Sequence, residues 1–431
     1  MSSTLPSSFI DHTRDLMGVS RFSILHDALR EESRVSIRLN PFKVDANKVW
    51  PQDADIVPWC RYGAQLRSRP EFTLDPLLHA GLYYVQESSS MFLDHVLRTL
   101  VHQPVRMLDL CAAPGGKTTC AMAALPQGST LYSNEPVKKR ANVLAENVIK
   151  FGHPDVVVTN NYANDYKKAG LLFDVILADV PCSGEGMFRK DAMAVEEWSP
   201  SKVEQCQRLQ REIVSDIWPC LQPGGILVYS TCTFNEHENE ENALWIAQEL
   251  GADFVEIPIK ADWHITPSLM GDIPAYRFIP GFTQGEGLFL TVLRKHGESN
   301  RSKPSTTKLK SPKGLRVLCH GVAPDIQKGK NSIPDITQAL MTNGSWSSPN
   351  SMVWKGPFAD VDYISAINFL RHEAITLPLT APIGIVQVRW QGYALGFAKN
   401  IGNRANNLYP PAWKIKTTHL RTTPPGILSL P

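Results

Sequence analysis

The chain has 431 residues, enough for two or three domains, and its 43% apolar and 20% charged content is that of a soluble globular protein. With 44 Lys and Arg against 42 Asp and Glu the net charge is only +2, so any nucleic-acid role must come from local basic patches. Eight cysteines without a Cys-x-x-Cys pair exclude a zinc ribbon or a disulfide framework; with no apolar leader and no run near the ~18 residues of a membrane span, the expectation is a cytoplasmic protein without a metal or membrane role.

Residues 1–95 read as a first unit. Phe9–Met17 and Phe22–Leu29 have the spacing of amphipathic helices, and Val35–Leu39 reads as a strand running into Asn40-Pro41. Breaker-rich stretches at Pro58–Gly63 and Arg69–Pro76 lead to Gly81–Phe92, where Tyr83, Tyr84, Gln86 and Glu87 either line a ligand cleft or pack one domain on the next. From 96 to 297, short apolar runs alternate with helical patterns, the signature of a doubly wound parallel α/β sheet. Predicted strands are Val105–Leu110, Thr130–Asn134, Val156–Thr159, Val175–Ala178 and Ile226–Tyr229, with Leu288–Arg294 a late strand at the sheet edge. Predicted helices are Thr118–Leu125, Pro136–Phe151, Val203–Leu221 and Asn239–Leu250. Residues 298–312 are polar and basic, either a linker that touches phosphates or a solvated hinge. Residues 313–431 form a third unit with strand-like pieces at Gly314–Leu318, Ser351–Trp354, Ile383–Trp390 and Ala394–Phe397. Its loop Lys399–Tyr409 combines Lys399 and Arg404 with Asn403 and other amides, a set suited to looped RNA or else an ordinary turn.

Four signals fall at the C-terminal ends of successive predicted strands, where open α/β sheets place their ligands. The first is the small-residue turn Ala112, Ala113, Pro114, Gly115, Gly116 and Lys117, which opens a helix without the spacing of a dinucleotide fingerprint or a P-loop. The second is Glu135, about 20 residues beyond the glycines, where an acid accepts ribose hydroxyls. The third is Asp179-Val180-Pro181-Cys182 and the fourth Ser230-Thr231-Cys232-Thr233. The other six cysteines read as packing residues, but Cys182 and Cys232 each follow a strand into the expected cleft. A thiolate there has a specific use beside a methyl donor. Adding to C6 of a pyrimidine, it turns the unreactive C5 into a nucleophile and later leaves by elimination. An acid near the ring N3, the place Asp179 is suited to, takes up the developing charge.

These motifs resemble the Sun-family RNA (cytosine-5) methyltransferases, most of all the bacterial RsmF-type ribosomal RNA enzymes. The matching segments are LDLCAAPGGKTT (108–119), FDVILADVPCSGEGMFRKD (173–191) and GGILVYSTCTFNEHENEEN (224–242). SIRLNP (36–41), YYVQESSSMF (83–92), GEGLFLTVLRK (285–295) and LGFAKNIGNRANNLYP (395–410) carry the likeness over nearly the whole chain. The resemblance implies a Rossmann-like methyltransferase sheet over 96–297, an N-terminal α+β RNA-binding extension over 1–95 and a C-terminal PUA-like β domain over 313–431. It implies S-adenosylmethionine on Ala112–Lys117, with Glu135 on the ribose, Arg140 nearby and Asp179 between donor and base. It makes Cys232 the nucleophile and Cys182 the residue that assists release. Lys190 matches a basic position near the active site, and Lys399, Asn403 and Arg404 would meet RNA. After the third strand the family often carries Asp, where this chain has Tyr162, so that Asn161 or Asn164 substitutes or Tyr162 stacks on the adenine. Gly281 stands where the family often has His.

Small-subunit ribosomal RNA is the expected substrate and transfer RNA the alternative, with the chain acting as a monomer. An exocyclic amino methyltransferase would carry an aromatic after Pro-Pro in place of Cys182, and a non-enzymatic assembly factor need not keep both cysteines. A cysteine hydrolase would need His237 as base, but Glu236-His237-Glu238 reads instead as the solvated start of a helix.

Overall fold

The computed structural model describes residues 5–298, 313–329, 331–344 and 353–430. Most of the expected basic linker, and the first two residues of the expected strand Ser351–Trp354, lie outside them.

The chain opens with helices Ser7–Met17 and Val19–Ala28, which turn at Gly18 (φ 79°) and bury Phe9, Met17, Phe22 and Leu25. A four-stranded antiparallel sheet follows, in the order Asp55–Ile56, Gly63–Leu66, Val35–Leu39, Tyr83–Val85. The amphipathic helix Phe92–Leu100 then leads into the central sheet and buries Phe92, Leu93, Val96 and Leu97.

The central sheet has five parallel strands in the order Leu221–Thr231, Phe173–Asp179, Arg106–Asp109, Thr130–Asn134, Val156–Thr159. The order reverses between Arg106–Asp109 and Phe173–Asp179, the switch point at which open α/β sheets hold ligands. Successive residues point to opposite faces, and both faces are covered. Met107, Val175, Leu177 and Val228 join one buried cluster, while Leu108, Ile176, Ala178 and Leu227 join another. That two-sided burial is why these strands read as continuous apolar runs. The helix Pro200–Ile217 starts at Ser199, whose Oγ accepts Lys202 N at 3.2 Å, with Pro200 in its first turn. It stops four residues before the expected Leu221, because Pro219 follows and the chain tightens into a short turn.

Both edges differ from expectation. Leu288–Lys295 is not an edge strand: it lies antiparallel between Leu221–Thr231 and the short Ala252–Phe254, with Tyr276–Phe278 also paired to it. At the other edge, Val317–His320 from the third unit adds antiparallel to Val156–Thr159. The sequence could place a strand near 314–318 but not its partner, which lies some 160 residues earlier.

The remainder of the C-terminal unit is a four-stranded sheet, Phe358–Asp360, Gly384–Trp390, Tyr393–Asn400, Ala405–Asn407, packed on helix Tyr363–Leu370. It is fastened to the first unit. Tyr363 Oη donates to Leu74 O at 3.0 Å, and Leu428–Ser429 pairs with Trp50–Pro51. Among the described residues, no helix is long and apolar enough to cross a membrane.

Candidate active site

The turn after Arg106–Asp109 is tied to its neighbours by backbone and amide bonds. Leu110 N donates to Leu177 O (2.9 Å) and Ala112 N to Asn134 O (2.8 Å). Asn134 Nδ2 donates to Leu110 O (3.1 Å) and to Asn161 O (2.9 Å), and its Oδ1 accepts Asn161 N (3.0 Å), so one amide joins three strand ends. Asn147 Nδ2 holds Pro114 O at 2.8 Å and Arg140 Nη2 holds Ala113 O at 3.0 Å. Gly115 is left-handed (φ 116°), and helix Gly116–Ala124 starts directly after it. A side chain at Gly116 would come within 3.3 Å of the Tyr84 ring, so this glycine lets the N-terminal unit close on the turn.

Two buried carboxylates edge the turn. Asp109 Oδ2 accepts Thr118 Oγ1 at 2.7 Å, but Oδ1 has no partner, and burial pushes the carboxyl up to about 7 against the help of that hydroxyl. Glu135 Oε1 accepts Val137 N at 2.9 Å. Its Oε2 faces Arg140 Nη1 at 3.1 Å as a charge contact but accepts no aligned hydrogen bond. A left-handed glycine turn before a helix N-terminus, beside a carboxylate with an uncommitted oxygen, fits the ribose and methionine ends of S-adenosylmethionine.

On the other side of the switch point, Cys182 Sγ and Cys232 Sγ stand 3.1 Å apart at the ends of adjacent parallel strands. The hydrogen bond to Cys232, and then burial, raise the Cys182 thiol, so Cys182 keeps its proton. Asp179 Oδ1 accepts Ser230 Oγ at 2.7 Å and Oδ2 accepts Lys117 Nζ at 2.9 Å, which bridges the glycine turn to the ends of the two strands that lead to the cysteines. Burial disfavours the Lys117 ammonium, but the Asp179 carboxylate outweighs it and raises its pKa, with the field of Cys232 adding to the effect.

The sequence reading missed what holds the two cysteine loops. Glu185 Oε2 accepts Phe234 N (2.6 Å) and Asn235 N (3.0 Å), and its Oε1 accepts Trp198 Nε1 and Asn235 Nδ2, both at 3.0 Å. Glu238 Oε2 accepts Ser183 N (3.0 Å) and Gln210 Nε2 (2.7 Å), and its Oε1 accepts Asn235 Nδ2 (2.9 Å). Glu238 is therefore fully buried, not part of a solvated helix start, and the helix begins at Glu240. Glu240 is buried too, paired with Arg277, whose Nη1 donates to Phe234 O at 2.6 Å. Gly186 N donates to Cys232 O at 2.7 Å, and a Cβ there would come within 2.8 Å of that oxygen. All these acids lie in the segments quoted above; the one signal available was an excess of carboxylates beside both cysteines.

The other expected residues are placed elsewhere. The Asn161 amide does not face the cleft: its Oδ1 accepts Arg316 N (3.0 Å) and its Nδ2 donates to Arg316 O (3.2 Å), securing the edge strand from the third unit. Tyr162 is 73% exposed at the start of the next short helix, and Asn164 is exposed beside it. Gly281 (φ 89°) sits against helix Val19–Ala28, where a Cβ would meet Ile24 Cγ2 at 2.7 Å, so a side chain is excluded by packing. Lys190 is exposed, and Lys399, Asn403 and Arg404 are exposed around the hairpin between Tyr393–Asn400 and Ala405–Asn407. Tyr83 is a packing residue whose hydroxyl donates to Asp75 at 2.7 Å; with Tyr84, Arg38 and Asn147 it lines a cavity of about 220 Å³ behind the glycine turn.

Three family profiles match the chain: the 16S rRNA methyltransferase RsmB/F over 98–294, the N-terminal domain of 16S rRNA methyltransferase RsmF over 5–88, and the methyltransferase RsmF PUA domain over 359–415. The chain is 30% identical to ribosomal RNA small subunit methyltransferase F of Salmonella heidelberg, covering 94% of this chain and 95% of that protein. It is 29% identical to the protein of that name from Enterobacter sp., with the same coverage. Among solved structures, a methyltransferase homolog from Pyrococcus horikoshii (24% identity, TM-score 0.57) covers 67% of this chain and 95% of that one. NSun6 from the same organism, solved with SFG (19% identity, TM-score 0.57), covers 68% of this chain and 99% of that one. These two share the fold.

Proposed function

The chain belongs to the RsmB/F family of 16S rRNA methyltransferases, which act on small-subunit ribosomal RNA with S-adenosylmethionine, and from that premise we propose that it forms 5-methylcytosine through a covalent bond between Cys232 and C6 of the base. The observation that carries this reading is the pair of sulfurs 3.1 Å apart, one strand from a glycine turn whose Lys117 pairs with Asp179 at the end of the strand that leads to Cys182.

S-adenosylmethionine supplies an electrophilic methyl group; Ala112–Lys117 would hold it, with Glu135 and Arg140 at its ribose end. The protein's own part is to make C5 nucleophilic and then let go. Cys182, which keeps its proton, stands 3.1 Å from Cys232, the sulfur we assign as the attacking nucleophile. Addition at C6 moves electron density toward C5 and N3, where the Lys117 ammonium, held in place by Asp179, offsets it. After the methyl is in place, a water molecule takes the C5 proton, the C5–H electrons form the C5–C6 double bond and the C6–S bond breaks, with the Cys182 thiol within reach to hydrogen-bond the departing Cys232 sulfur. The exposed Lys190, Lys399, Asn403 and Arg404 contribute RNA contacts from the central and C-terminal units, and the protein works in the cytoplasm as a monomer.

The test is methyl transfer from labelled donor to assembled small subunits, naked ribosomal RNA and bulk transfer RNA, with digestion to identify the base. Label in 5-methylcytosine of ribosomal RNA is the expected result. Label on an exocyclic nitrogen, or full activity in Cys232→Ala, would overturn the chemistry. Cys182→Ala should accumulate a protein–RNA adduct stable to denaturing gels; normal turnover without adduct would remove its release role.

A further inference from the structure

At the start of the segment that follows Cys232, side chains from two distant parts of the chain converge. His12, from the first helix, places Nε2 2.9 Å from Glu236 Oε2. Its ring stacks on that of His237, with centroids 5.4 Å apart and planes at 25°. One ligand atom from each of His12, Glu236 and His237 lies within 4.8 Å of the other two. Two neutral imidazoles and a carboxylate are the donor set of divalent transition metals with borderline-soft character, and three protein ligands leave a position for water.

The surroundings are prepared in the way metal-ligating histidines usually are. His237 Nδ1 is 3.0 Å from Glu241 Oε1, which fixes the ring and leaves Nε2 free for a ligand role. Gln207 Nε2 in turn donates to Glu241 Oε2 and to His237 O, both at 2.8 Å, so the outer carboxylate and the backbone are held together. Side-chain exposures of 36% for His12, 18% for Glu236 and 41% for His237 leave a route in from solvent.

We propose that His12, Glu236 and His237 form a binding site for one divalent transition-metal ion of the zinc class, which clips the N-terminal helix to the loop that carries Cys232. Binding displaces the proton shared by His12 Nε2 and Glu236 Oε2, so the helix–loop hydrogen bond is exchanged for two metal–ligand bonds. The ion is structural: the two cysteine loops are held to each other by separate bonds, Ser183 to Thr233 and Ser183 to Glu238. The site does not depend on which base is methylated.

The test is titration of the full chain with Co²⁺ followed by absorption spectroscopy. One ion per chain is expected, with the visible bands of nitrogen and oxygen ligands and without sulfur-to-cobalt charge transfer. His12→Gln can still hydrogen-bond Glu236 but is a poor ligand, and it should weaken binding at least tenfold, as should His237→Gln. Glu241→Gln should cost about tenfold by loosening the His237 ring. The double variant Cys182→Ala, Cys232→Ala should bind as the parent does. The proposal is overturned by parental affinity in His12→Gln, by charge-transfer bands that vanish with the two cysteines, or by no stoichiometric binding. Where a variant fails to fold, acylation of histidines in the parent chain decides: Zn²⁺ must protect His12 and His237, and equal labelling with and without Zn²⁺ counts against the site.

Discussion

The two halves of the central sheet are fastened by different chemistry. On the cysteine side, buried carboxylates do the joining: Glu185, Glu238 and Glu240 gather N–H groups and a guanidinium from both loops. On the donor side the same task falls to neutral amides, with Asn134 linking three strand ends, Asn147 holding Pro114, Asn160 holding Glu135 and Pro136, and Asn161 holding Arg316. A nucleophile and its partner sulfur must be fixed against each other to fractions of an ångström, and charge-assisted bonds are shorter and stiffer than neutral ones. A donor cradle needs shape and open N–H groups, which amides provide without adding charge to that of Asp109 and Glu135 at its edge.

Substitutions can break the comparison. The largest effect is expected from Cys232→Ala, where methyl transfer should fall by about 10⁴-fold or more while donor affinity, measured by calorimetry, stays near parental. Glu185→Ala should come next. It strands several buried donors at roughly 1–3 kcal/mol each, so a loss of about 3 kcal/mol in denaturant unfolding is expected, with kcat falling more than donor KM rises. Asn134→Ala should cost less stability, about 2 kcal/mol, and should raise donor KM before it lowers kcat. If the Glu185 and Asn134 variants affected kcat and KM alike, the division of labour between the halves would be wrong. Lys399→Ala and Arg404→Ala should leave the donor side untouched, and each should reduce the salt slope of RNA binding by about one if it contacts a phosphate.

A further effect concerns pH. Burial raises the Asp109 carboxyl from the ordinary 3.8 to about 7. The folded state therefore keeps a proton that the unfolded chain loses across that interval, and this group's contribution to stability, complete below pH 4, is lost as pH rises through 7. Asp109→Asn should flatten that part of the profile, seen as a smaller difference in Tm between pH 5 and pH 8 than the parent shows.

The sheet's parallel strands were legible because two-sided burial writes them as unbroken apolar runs, and the four positions expected to meet ligands follow directly at their ends. The stretch Glu236-His237-Glu238 reads as a solvated helix start because its composition is charged, whereas Glu238 is buried by Ser183, some 50 residues earlier. Gly281 looked like a missing functional histidine, yet its cause is Ile24, on a helix more than 250 residues away. Asn161 was assigned to the donor by position along the chain, and its true partner is Arg316. Each error has the same physical origin. A local pattern specifies an element and its exposed or buried period, but a polar side chain's role is set by whichever distant segment arrives beside it.

The antiparallel pairing of Val317–His320 with Val156–Thr159 also orders events in time. When synthesis has passed residue 300, every side chain assigned to the chemistry has been made, but the donor half still ends in a bare strand edge that invites pairing with any other extended chain. The edge closes only when the segment beginning at Lys313 emerges. Removing 313–431 to separate RNA binding from catalysis would thus leave a permanently open template, and a cut between His320 and the Phe358–Asp360 strand is the one that would leave the sheet whole.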